Sequence, residues 1–196
     1  MSGQNVLTKW ALKPVVFVLG LLPLALLVLA VAQNRYANPV EAILQGSGEW
    51  ALRFLLLTLS VTPLQFVFKW LWVARLRRML GLFAFFYASL HLLIWLGLDL
   101  EFSLAAALSA LVEKPFITAG MLAFAGLVPL ALTSNKFSVR KLGTRWKSWH
   151  SAVYLLTVLA IVHQVWQVKG SDLLEPAIYL LILIALYSWR FSRSIK

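Results

Sequence analysis

The stretch Trp146–Trp166, WKSWHSAVYLLTVLAIVHQVW, is apolar enough to lie in a lipid bilayer, yet it carries two of the three histidines in the chain. A spanning helix needs roughly 20 mainly apolar residues, and this stretch supplies them. The rest of the chain agrees. Of 196 residues 61% are hydrophobic and 13% charged, with nine tryptophans, more apolar surface than a soluble domain of that size could hide. The bilayer is the solvent.

Six segments qualify as spans: about 14–32, 50–68, 79–98, 115–133, 149–168 and 173–190. The expected fold is an all-α integral membrane protein, a six-helix bundle forming a single domain over 1–196, with short connections and no internal repeat or strand-like alternation. Pro14, Pro115 and Pro176 sit near helix starts, whereas Pro23, Pro63 and Pro129 lie inside spans and should kink them. The first apolar run ends Ala30-Val31-Ala32-Gln33, which looks like a signal-peptidase site. It is longer than the ~7–15 residues of a signal h-region, so a retained helix is expected.

Charge sets the topology. Lys9 and Lys13 precede the first span, and Lys69, Arg75, Arg77 and Arg78 lie between the second and third. Lys136, Arg140, Lys141, Arg145 and Lys147 lie between the fourth and fifth, and Arg190, Arg193 and Lys196 at or beyond the end of the sixth. All seven acids, Glu41, Glu49, Asp99, Glu101, Glu113, Asp172 and Glu175, fall in or beside the other three loops. The positive-inside rule places both termini in the cytoplasm and accounts for the net charge of +11 without nucleic acid. The basic face suits anionic membrane lipid, with an acidic protein partner as the alternative.

With no cysteine, disulfides, thiolate metal sites and iron–sulfur clusters are excluded, so redox chemistry would need a bound cofactor. His91, His150 and His163 all fall in spans, where ionisable residues are costly and commonly functional. A lone histidine could simply bond a neighbouring helix. Three, with no acid expected in the interior, point further. His91 lies thirteen residues beyond Arg78 and His163 sixteen beyond Lys147, so a rise of 1.5 Å per residue brings them within roughly 5 Å of one level. They can face each other across the bundle, in its outward half.

Paired imidazoles without thiolates or carboxylates suit the two axial positions of a haem iron. Zinc would be expected to recruit an acid or thiolate, and a proton relay a membrane carboxylate. Bis-imidazole ligation leaves no open position, which favours electron transfer. His150 sits roughly 20 Å below His163 and about 140° around an ideal helix from it, so a bend or tilt would be needed to bring both to cofactors. Two bis-histidine haems would need four histidines. Either there is one such haem, or a second lies at His150 with a different sixth ligand. Arg77 and Arg78, level with His150, could pair with haem propionates or a flavin phosphate, or serve only as positive-inside anchors.

RRMLGLFAFFYASLHLLIWL, Arg77–Leu96, together with the opening stretch, resembles the MsrQ (YedZ) family within the ferric reductase-like and NADPH oxidase transmembrane group. The resemblance covers nearly the whole chain. A single histidine in the third span sets it apart from the eukaryotic oxidases of the group, and their fused flavin and nucleotide domain is lacking. The resemblance implies a bacterial inner-membrane subunit of an oxidoreductase system, with His91, His150 and His163 as ligands of haem b iron and FMN as a further cofactor. It implies electrons taken from the quinone pool or a cytosolic flavin reductase and delivered to the periplasmic molybdenum enzyme MsrP. MsrP would then reduce methionine sulfoxide in oxidised envelope proteins. Rival readings are a stand-alone membrane ferric or quinone reductase, or a metal transporter or assembly factor.

Trp10, Trp50, Trp70, Trp72, Trp146, Trp149 and Trp189 lie near span ends and read as an aromatic belt. Phe83, Phe85, Phe86, Tyr87 and Trp95 read as bundle packing around His91. Gly120 and Gly126 could make room for a flat cofactor, and Arg53 is expected to snorkel to the surface.

Overall fold

The computed structural model describes residues 4–167 and 173–194, with the backbone alone for 4–11, 193 and 194. Asp172, Lys196 and the side chains of Lys9, Trp10 and Arg193 lie outside the described residues. Every regular element among the described residues is helical, and six helices are long and apolar enough to cross a membrane.

The first span is α1 (Gln4–Ala32). The second, α2 (Pro39–Phe68), starts at Pro39 rather than near 50. Its early polar residues, which suggested a loop, are used within the helix itself. Asn38 caps it by accepting from the Glu41 amide at 3.2 Å, and the Glu41 carboxylate accepts from Asn38 and Gln45. After Lys69, which takes left-handed backbone (φ 56°), a 3-10 turn (Leu71–Leu76) leads into α3 (Arg77–Ile94) and a π turn (Trp95–Asp99). The connection that follows holds a helix not foreseen from the sequence, α4 (Leu104–Glu113), capped by Ser103. α5 (Pro115–Leu132) carries Pro115 in its first turn, where its missing N–H costs nothing.

A second unforeseen helix, α6 (Lys136–Leu142), turns through Gly143 into α7 (Thr144–His150). Gly143 has φ 53° and ψ −126°, a conformation that a side chain would oppose. α7 and α8 (Val153–Gln167) make the fifth span, broken at Ser151-Ala152 directly after His150. Here Tyr154 N–H bonds Ser151 O at 3.1 Å and Ala152 N–H bonds Trp149 O at 3.1 Å, the tighter i+3 pattern. The break lies between His150 and His163, so the two do not stand on one continuous α-helix. α9 (Leu174–Ser194) is the sixth span.

Lipid tails are as apolar as leucine, so helices associate here through close packing and polar contacts. The principal pairings are α2 with α3 and α5 with α8, with α1 against α2 and α3, and α9 against α2 and α8. Small residues set the approach. Ala51, Ala84 and Ala123 are buried, and a methyl at Gly20 would stand 2.5 Å from the Phe83 ring. Gly126 receives Leu156 of α8 and Gly120 receives His163. Both glycines thus make room for side chains of the facing helix, which corrects the expectation that they clear space for a cofactor.

Phe54 stacks on Phe83 and Tyr87 at centroid distances of 5.2 and 5.4 Å, at the centre of one buried cluster. Tyr87 does more than pack. Its hydroxyl donates to Gly20 O at 2.8 Å and accepts from Leu24 N–H at 3.2 Å, inserting into the α1 ladder beside Pro23. A second cluster joins Leu52, Leu56 and Leu59 of α2 to Ile161 of α8 and to Tyr179 and Leu183 of α9.

Arg53 does not snorkel. Its guanidinium bonds Glu49 at 3.0 Å, Glu175 at 2.6 Å and the Tyr179 hydroxyl at 2.7 Å, tying α2 to α9. Tyr179 in turn donates to Glu175. The interior is therefore not free of acids. Glu49 lies within α2 next to Gly48, and sequence reasoning missed it because it stood outside the predicted span.

Candidate functional site

His91 and His163 meet near the end of the bundle that carries the acidic loops. Their ring centroids are 6.0 Å apart and their planes 83° to one another. The supports of the two rings match. His91 Nδ1 is 2.9 Å from Leu44 O, and His163 Nδ1 is 2.6 Å from Phe116 O. A carbonyl can only accept, so each Nδ1 carries a proton, and in the neutral ring each Nε2 keeps its lone pair. Each ring also lies against a glycine, where an added Cβ would stand 2.9 Å from His91 Nδ1 at Gly48 and 2.7 Å from His163 Nδ1 at Gly120.

These coincidences share one sequence offset. It relates Leu44 to Phe116, Gly48 to Gly120, Ala51 to Ala123, Leu55 to Leu127 and His91 to His163. The α2–α3 and α5–α8 hairpins are thus built to one plan, a repeat that the sequence alone did not disclose. So few identities along two apolar hairpins cannot be told from composition, and the shared supports become visible only with the contacts. At the other end the same offset relates Arg78 to His150 and Ala74 to Trp146, and there the plan diverges.

His150 does not join the other two. It lines a cavity of about 880 Å³ at the basic end, together with Arg77, Arg78, Lys136, Arg140 and Trp146. That volume is in the range of cofactor pockets. Both His150 ring nitrogens are shielded from solvent and have no hydrogen-bond partner, while the ring lies on the Trp146 indole at a centroid distance of 3.8 Å. Arg77 is partly engaged by Thr62 Oγ1 at 2.8 Å, whereas among the described residues the side chains of Arg78, Lys136 and Arg140 make no hydrogen bond or ion pair. The cavity is thus lined by an imidazole with no hydrogen-bond partner and, among the described residues, by cations without a counter-charge, a donor set that fits a flat group bearing acidic substituents.

Among the described residues no three His, Cys, Asp or Glu side chains gather as a metal-ion site. Glu49 stands at the level of His91 but turns to Arg53 and α9, so among the described residues no carboxylate joins the upper pair. Trp50 also departs from the belt, lying under the Arg53 guanidinium at 4.9 Å and tilted against Phe54.

Known proteins now bear on this arrangement. The model of the ferric reductase-like transmembrane component matches residues 47–161, which takes in His91 and His150 and stops just short of His163. A protein of Azospira oryzae named as the haem-binding subunit MsrQ of a protein-methionine-sulfoxide reductase is 45% identical over 192 residues, 95% of this chain and 81% of its own. The chain belongs to the MsrQ family. MsrQ proteins of Bordetella pertussis and Brucella ovis, under the same name, are 45% identical over 181 residues and 47% over 157. These alignments cover 91% and 80% of this chain, and 88% and 70% of the relatives. No solved structure matches. The alignment with the Azospira oryzae protein thus reaches into α1 and α9, beyond the 47–161 match.

Proposed function

We propose that this protein is the haem-binding, electron-transferring membrane subunit of a methionine sulfoxide reductase system. The observation that carries the proposal is the His91–His163 pair. Their ring centroids are 6.0 Å apart, close enough for both imidazoles to serve one haem iron, which His91 and His163 would hold. Each ring is already in the tautomer that leaves Nε2 free, and each is held by a backbone carbonyl, the outer support usual for ligating histidines. Haem b held there supplies one-electron chemistry between ferric and ferrous iron.

The chain's own residues do the rest. Gly48 and Gly120 let the rings sit against the helices opposite, and the aromatic core beneath excludes water. At the other level His150 offers a single ligand within a cationic rim suited to propionates. With the basic loops taken as cytoplasmic, that cavity is the entry side, and the His91–His163 pair lies toward the periplasm of a bacterial inner membrane. Electrons would enter from a cytosolic flavin reductase or the quinone pool and leave to the periplasmic partner MsrP, where the sulfoxide is reduced.

Purified protein from haem-replete cells should show a Soret band and sharp reduced b-type bands, and oxidised MsrP should reoxidise the reduced form. Colourless protein would sink the proposal. Reduced protein that ignores MsrP but reduces ferric chelates would move it to a stand-alone reductase.

A further inference from the structure

The two levels hold their histidines by different means. His91 and His163 are each fixed by an Nδ1 hydrogen bond to a carbonyl, whereas His150 bonds nothing. What touches the His150 ring is Trp146, one helical turn earlier, tilted 33° to it at 3.8 Å between centroids. Trp146 is itself pinned. Its Nε1–H donates to Thr133 O at 3.0 Å, which fastens α7 to the chain just beyond α5. In the companion hairpin the equivalents of Trp146 and His150 are Ala74 and Arg78, and all four line the same cavity. One wall thus carries an imidazole on an indole support, and the other a guanidinium with no such support.

We infer that Trp146 is the positioning residue for His150, doing by ring stacking what the carbonyls of Leu44 and Phe116 do for the other two histidines. The geometry requires something in that role. His150 is the last residue of α7, and a helical side chain leans over the turn before it, where Trp146 stands. An imidazole with two free nitrogens could turn about its side-chain bonds. An indole pinned through its Nε1–H confines the ring to one plane on the cavity wall. This inference rests on the reading of His150 as a haem ligand, and the experiment separates the two.

The test uses the full chain purified with its haem, comparing Trp146→Phe, Trp146→Leu and His150→Ala with the parent. Haem per chain, the low-temperature reduced spectrum and the midpoint of each component are read. Trp146→Leu should weaken retention of the component that His150→Ala removes by ~10–100-fold, the usual cost of losing an outer support. Trp146→Phe, which keeps a flat ring but loses the pin, should fall between Trp146→Leu and the parent. The component removed by His91→Ala should keep its occupancy and midpoint in both. Equal losses at both levels would mean a general structural role and would overturn the inference. So would a Trp146→Leu protein whose His150-dependent component keeps parental occupancy and midpoint. If His150→Ala itself changes nothing, the ligand reading of His150 falls first and the inference with it.

Discussion

Gly48 and His91 lie so close that a single methyl on the glycine would reach within 2.9 Å of His91 Nδ1, and Gly120 holds the same relation to His163 at 2.7 Å. Real Cβ contacts are not that short, so the ring or the helix would have to move. Gly48→Ala should displace His91 from Leu44 O, and Gly120→Ala should displace His163 from Phe116 O. Both variants are expected to lose the haem component that depends on His91 and His163, by ~10–100-fold in retention, while the His150-dependent component persists. Haem titration against the separate histidine variants checks this. Gly81→Ala is the control, since its Cβ would meet Thr58 at an ordinary 3.7 Å, and it should bind haem normally.

The meeting of His91 and His163 was legible in the sequence, because both positions could be measured from a charged landmark at one end of a helix. Their supports were not. Leu44 and Phe116 contribute only carbonyls, which every residue has, so nothing in their side chains marks them. Glu49 and Arg53 were misread for a related reason. Taken as the end of a span, they looked like boundary charges, but α2 runs back to Pro39 and encloses them. The helices α4 and α6 were missed because ten and seven residues are too few to show a helical period.

Among the described residues Arg53 is the one cation placed between two acids of different helices, and this makes it a clasp rather than a surface anchor. Arg53→Ala would leave Glu49 and Glu175 half-buried without their partner and Tyr179 without a donor. The side chains are about a third exposed, so the loss should be about 1–2 kcal/mol, a fall in unfolding midpoint of roughly 2–8 °C for a chain of this size. Thermal unfolding in detergent measures it. Glu175→Gln, which keeps an acceptor for Arg53, should lose less, and haem per chain should stay unchanged in both.

Tyr87 supplies a hydroxyl where α1 would otherwise close its own ladder. Tyr87→Phe keeps the stacking on Phe54 but removes that bridge, leaving Gly20 O and Leu24 N–H to find each other or go unpaired. A cost of about 1 kcal/mol is expected, confined to α1. Amide exchange should quicken at Leu24, with both haem components unaltered, and uniform acceleration across α2 and α3 would contradict a local role.

The cationic rim should matter to the lower level alone. Arg78, Lys136 and Arg140 line the His150 cavity and have no counter-charge, so an acidic group entering it meets them unpaired. The double variant Arg78→Gln, Arg140→Gln should lower retention of the His150-dependent component and make it less sensitive to salt, because screened attraction is what has been removed. Retention measured at low and high ionic strength decides this. An unchanged salt response would place the acidic groups elsewhere.

On the proposed haem ligation, the same asymmetry should order the two levels in potential. A ring N–H bonded to a carbonyl makes an imidazole a stronger donor to its metal, which favours the oxidised, more positively charged state. His91 and His163 both have that bond and His150 has not. Nearby cations act in the same sense at the lower level, since Arg77, Arg78, Lys136 and Arg140 disfavour added positive charge. The component lost in His150→Ala should therefore titrate at the higher midpoint, and the one lost in His91→Ala at the lower. An electron entering at the basic face would rest at the His150 level and move on to the His91–His163 level only when the terminal acceptor draws it. Redox titration of the parent beside the two single variants reads the order directly, and the opposite order would mean that neither the missing hydrogen bond nor the cationic rim governs the lower level.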